Sequence, residues 1–70
     1  MATKLHPYNA QVEDDMRYMF ESLSEKDRRH YAAIEVKKLG HGGITYIARL
    51  FGISEKTIHA GLAEFEKKAF

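Results

Sequence analysis

The spacing of the apolar residues constrains this chain most: they recur at helical intervals in separate stretches and nowhere sustain the alternation of a strand. Val12, Met16, Met19, Phe20 and Leu23 fall at i, i+4, i+7, i+8 and i+11, which is one face of a helix. Ala32, Val36 and Leu39, widened by Ala33, make a second stripe. Ile44, Ile47, Ala48 and Phe51 make a third, and Ile58, Leu62 and Phe65 a fourth. The run Ile44-Thr45-Tyr46-Ile47 is β-like in residue type, but the i, i+3, i+4, i+7 recurrence outranks that preference. The expected fold is therefore all-α, a small three- to four-helix bundle.

The residues between the stripes supply start and stop signals. Asn9 precedes the first stripe as an N-cap, and the predicted helix runs over about 10–22. Ser24 with Asp27 three residues on resembles a capping box, Leu23 can staple the entry, and Gly40 is the expected left-handed stop of the second helix. Gly52 ends a third helix from Ile44, and Ser54 can cap a fourth over Glu55 to about Lys68. Residues 1–8 carry no period and Pro7 disfavours helix at His6, so they read as a flexible N-terminal arm before one helical domain over 9–70. Leu23, Val36, Leu39, Ile47, Ala48, Phe51, Ile53, Ile58 and Leu62 are the expected core.

Seventy residues bury only about 60% of their unfolded surface, which leaves room for one fold. The absence of cysteine excludes disulfides, thiolate zinc sites and cysteine nucleophiles. His6, His30, His41 and His59 fall on separate elements without an i, i+4 pair, so no zinc or other metal site is expected. Gly40-His41-Gly42-Gly43 lacks the preceding strand and the following Lys-Ser/Thr of a phosphate-binding loop and reads as a helix connector. Glu13, Asp14 and Asp15 diverge by about 100° per residue and form a solvated face near the positive helix end. With no nucleophile and base pair, no enzyme activity and no cofactor are expected. No apolar run approaches the roughly 18 residues of a membrane span, and the N-terminus lacks the apolar core of a secretion signal. These features point to a soluble, cytoplasmic protein.

The overall charge of +1 conceals an asymmetry. Up to Asp27 there are six acidic and three basic residues; beyond it there are eight basic and four acidic. A polyanion would approach the C-terminal portion. There, Ile44 to Ala63 has the spacing of a helix-turn-helix. Ala48 suits a close crossing, Gly52 a turn with positive φ, and Ser54 a cap that leaves the other first-turn N–H groups facing outward. Ile47, Phe51, Ile53, Ile58 and Leu62 would fix the angle.

Several segments resemble the N-terminal part of the Rhodopirellula-type insertion-sequence transposases, a family with a DDE catalytic domain. They are Leu23 to Glu35, Leu39-Gly40-His41-Gly42-Gly43-Ile44-Thr45-Tyr46-Ile47-Ala48-Arg49, Gly52-Ile53-Ser54-Glu55-Lys56-Thr57-Ile58, and Gly61-Leu62. The likeness covers Leu23 to about Glu66 and is most distinctive at Leu-Gly-x-Gly-Gly-Ile. It implies a helix-turn-helix that recognises the terminal DNA of the element. The larger catalytic domain that follows in the family is not among these residues, so transposition itself does not carry over, while the resemblance implies DNA recombination as the setting of the binding. Family members usually have a basic residue directly after the capping serine, where this chain has Glu55. A carboxylate there can accept from cytosine N4 but repels phosphate.

The expected partner is double-stranded DNA. The expected contact residues are Thr45, Arg49, Ser54, Glu55, Lys56, Thr57, His59, Ala60 and Lys67, with Ala63 on the same face. Thr57 or Ala60 could touch a thymine methyl. Lys37, Lys38 and Lys68 are further candidate cations, each equally readable as a solvated charge, while Arg28 and Arg29 read as solubilising residues or partners of Asp27 and nearby acids. A different class stays open: a protein-interaction or homodimerisation module without DNA binding, anchored by Tyr8, Tyr18 and Phe70.

Overall fold

Helices start where side-chain oxygens meet the free amides. The computed structural model, which describes residues 7–67, has α1 (Ala10–Glu21), α2 (Glu25–Leu39), α3 (Gly43–Phe51) and α4 (Glu55–Lys67), and such starts open α1, α2 and α4. No strand occurs among the described residues. Asn9 Oδ1 accepts from the Val12 N–H at 2.9 Å, Ser24 Oγ from Asp27 at 3.2 Å and Ser54 Oγ from Thr57 at 3.1 Å. Such a cap contributes about 1 kcal/mol. All three expected caps are therefore in place. Gly40 stops α2 with φ 76° but ψ −137°, outside the left-handed helical region expected for it. The left-handed glycine of that connector is Gly42, which precedes α3 without a side-chain cap.

The central pair is α2 and α3, against which both other helices pack; α1 and α4 do not touch. Ala32, Ala33, Ile47 and Ile58 are wholly buried at this junction. Phe20 of α1 stacks on Phe51 of α3 with ring centroids 4.3 Å apart, and Tyr31 of α2 leans on the same ring. Met16, Phe20 and Leu50 join the core, whereas Leu23, Leu39, Ile53 and Leu62 are only half-buried. The expected core was thus right at Val36, Ile47, Ala48, Phe51 and Ile58 and too generous at the other four.

The first stripe is also narrower than its period implies. Met16 and Phe20 enter the core, but Val12 is 38% and Met19 50% exposed. Met19 lies about 100° round the helix from Phe20, and α1 has only the α2–α3 pair to pack against. One groove cannot cover so wide an arc.

Polar side chains then strap the helices together. Arg28 donates from Nε to the Phe20 carbonyl at 3.0 Å and from Nη2 to the Glu21 carbonyl at 2.8 Å, with its guanidinium over the Phe20 ring. It pairs the Glu21 carbonyl at the end of α1 and adds a bond to the Phe20 carbonyl, which also accepts from the Leu23 N–H. Arg29 and His30 both engage Glu64 of α4, at 3.1 and 2.7 Å. The expected solubilising role of Arg28 and Arg29, or pairing with Asp27, gives way to these interhelical contacts. The His30 bond, reinforced by Arg29, holds the Glu64 carboxyl below its ordinary range.

Glu13 is not simply solvated, because the Tyr46 hydroxyl donates to it and ties α3 to α1. Glu35 is a buried carboxylate that accepts from the Tyr8 hydroxyl at 2.9 Å and from Lys38 Nζ at 3.2 Å. Tyr8, the last residue of the expected arm, is therefore docked on the bundle, its ring 6.3 Å from that of Tyr46. Residues 1–6, the rest of that arm, lie outside the described residues.

Burial and the bond to Glu13 raise the Tyr46 hydroxyl from its ordinary 10.0 to about 12. A folded pKa above the unfolded one contributes stability that is complete below pH 10 and lost as pH rises through about 12. Denaturation midpoints followed across that interval should fall more steeply for the parent than for Tyr46→Phe. Parallel curves for the two proteins would show that the hydroxyl does not link α1 to α3.

Candidate nucleic-acid interface

The connection from α3 to α4 is short because one glycine turns the chain. Gly52 has φ 69° and ψ 35°, the left-handed conformation that residues with a Cβ rarely adopt. The Ala48 carbonyl accepts from the N–H groups of both Gly52 and Ile53. Ile53 packs against the core and Ser54 opens α4, so three residues join the helices as the spacing predicts.

The inward face of α4 holds Ile58 and Gly61, both buried, with Leu62 and Phe65 half-buried beside them. Opposite it, Lys56, Ala60, Ala63 and Lys67 recur at i, i+4, i+7 and i+11, and all are exposed, as is the adjacent His59. On α3 the exposed pair is Thr45 and Arg49, one turn apart. Thr45 Oγ1 donates to Glu55 Oε2 at 3.4 Å, a long bond that places the first turn of α3 beside the first residue of α4. Glu55 is thereby drawn toward α3.

Two expected contact residues sit apart from the outward stripe. Thr57 is half-buried on the α2 side, its hydroxyl 3.0 Å from Ser54 Oγ. Ser54 itself is exposed, with its side chain committed to the cap.

Ion pairing sorts the cations. Arg17, Arg29 and Lys38 have carboxylate partners, and Lys37 lies over the Phe65 ring at 5.8 Å. Arg49, Lys56 and Lys67 take part in none of the ion pairs among the described residues. They remain as exposed positive charges on the outer surfaces of α3 and α4, while Lys68 lies outside the described residues. Among the described residues no group of three metal-ligating side chains converges, and no helix is long and apolar enough to cross a membrane.

The spacing points to Ala48 for the close helix approach, but the tightest approach is at Gly61. Ala48 is buried, but a Cβ built on Gly61 would lie 2.6 Å from the Arg29 carbonyl oxygen. The signal was faint: a glycine inside a helical stripe, with its tight neighbour far away in sequence. Comparison with known proteins adds no relative, since no family model, no curated protein and no solved structure matches the chain.

Proposed function

We propose that this chain is a DNA-binding helix-turn-helix module, similar to the DNA-recognition head of a transposase. In this reading α4 enters the major groove with Lys56, His59, Ala60 and Ala63 toward the base edges. Thr45, Arg49 and Lys67 meet the phosphates on either side. The carrying observation is that Arg49, Lys56 and Lys67 are exposed on helix faces turned away from the core and, like Lys26 on α2, take part in no ion pair among the described residues. Ala60 and Ala63 leave the middle of the α4 stripe free of bulk, as close groove contact requires.

With roughly 3 to 5 phosphates neutralised, log K should fall against log salt with a slope of roughly −3 to −4. Glu55→Arg should tighten binding and steepen that slope by about 1, whereas Lys56→Ala should weaken binding and flatten it by about 1. Arg17→Ala makes the same charge change on α1, which does not pack on α4, and should alter affinity far less. Fluorescence anisotropy on random and element-end duplexes reads all three. Equal losses in the Arg17 and Lys56 variants, with no gain from Glu55→Arg, would remove α4 as the reading helix.

A second reading rests on α1, where Tyr18 is 81% and Met19 50% exposed, with Val12 beside Met19 on the same face. These side chains suit contact with a partner protein or a second copy of the chain. Of the other expected anchors, Tyr8 is engaged with Glu35 and Phe70 lies outside the described residues. Absence of binding to any duplex at low salt would favour this reading.

A further inference from the structure

Between the end of α1, the start of α2 and the start of α4 lies an open cavity of about 380 Å³, within the range of small-molecule sites. Its apolar side is formed by Phe20, Ile53 and Ala60, and its polar side by Arg28, Arg29 and Lys56. These charges are unevenly matched. Arg28 is bonded only to the neutral carbonyls of Phe20 and Glu21, and Lys56 takes part in no ion pair among the described residues. Arg29 has Glu64, yet its Nε is a buried donor without a hydrogen-bond partner among the described residues.

Both guanidinium groups are already held, Arg28 by the end of α1 and Arg29 by Glu64, so presenting them to a ligand costs little conformational entropy. Glu25 also lines the cavity and forms no ion pair among the described residues. Its charge opposes a second negative group on any ligand. A bare phosphate would leave Ile53 and Ala60 uncovered. The combination fits one carboxylate attached to an apolar body.

We infer that this cavity is a binding site for a small monocarboxylate with an aromatic or branched apolar body, its carboxylate between Arg28 and Lys56 and its body against Ile53 and Ala60. The site stands on α1, α2 and α4 of the isolated chain and does not require that α4 read DNA.

The test is a titration of the isotope-labelled protein with 3-phenylpropionate, followed by amide and methyl chemical shifts without DNA. Saturable shifts are expected at Ile53, Lys56, Thr57 and Ala60, with Kd on the order of 1 mM for a ligand this small. Acetate, lacking the body, and 3-phenylpropan-1-ol, lacking the charge, should each bind at least about tenfold more weakly. Lys56→Gln should weaken binding by roughly 3- to 10-fold. Ala60→Leu, at an exposed helical position that tolerates leucine, should fill the cavity and abolish the shifts with an unchanged circular dichroism spectrum. Equal affinity for the acid and the alcohol would overturn the site, as would saturation by acetate alone or no saturable shift. Shifts of the same residues by a short duplex but not by the acid would give the cavity to the DNA backbone and likewise overturn it.

Discussion

Ile58→Ala is expected to cost about 2 to 5 kcal/mol of unfolding free energy, because it empties a wholly buried position where α4 meets α2 and α3. A chain of this length has in total only about 4 to 10 kcal/mol. The variant should therefore lose about half of its stability, with a urea midpoint far below the parent's and little change in slope. Ile47→Ala, equally buried on α3, should behave alike. Leu62→Ala should cost less, since its side chain keeps part of its surface in water. Ile34→Ala is the control, because Ile34 is 45% exposed and should shift stability by no more than about 0.5 kcal/mol. If Ile58→Ala and Ile34→Ala melt together, the core is misassigned.

Gly61→Val is the other change expected to be severe. The first carbon added would meet the Arg29 carbonyl oxygen at 2.6 Å and the Ala33 methyl at 3.3 Å. The carbonyl belongs to the backbone of α2 and cannot rotate aside, so α4 must move away. Such overpacking costs about 1 to 3 kcal/mol, and separation would also stretch the bonds of Arg29 and His30 to Glu64. Gly61→Ala is the sharper test. Helix propensity alone predicts a gain of about 1 kcal/mol from it, whereas the contact predicts a net loss. A variant more stable than the parent by thermal melting would show that α2 and α4 do not touch at this point.

Much of the helical layout was legible along the chain, and the reason is local. Asn9, Ser24 and Ser54 cap through bonds spanning three residues, and Gly52 turns through its own backbone angles. Such features depend on neighbours in sequence. The outward stripe of Lys56, Ala60, Ala63 and Lys67 was legible for a related reason: helical period alone opposes it to Ile58, Leu62 and Phe65.

The apolar periods were less informative about depth. They mark which face of a helix turns inward but not how much of that face finds a partner, so Val12 and Met19 carried the same signal as Met16 and Phe20. Charge signs were equally mute about pairing. Arg28, Arg29 and Lys56 look alike in a row of letters, yet one holds the end of α1, one straps α4 and one has no ion-pair partner among the described residues.

What the chain settles by itself is therefore where its helices start, stop and turn, since capping, left-handed glycine and helical period act over a few residues. The packing of α4 against α2 across Gly61, the burial of Glu35 beneath Tyr8, the sorting of paired from free cations and the cavity beside Lys56 arise only once distant segments meet. Among the ion pairs of the described residues, only Arg17–Asp14 and Lys38–Glu35 lie within one helical turn. The Tyr8–Glu35 bond and the bonds of Arg29 and His30 to Glu64 join residues from 27 to 35 positions apart, the cavity brings Phe20 beside Ala60, and no local rule of spacing carries those distances.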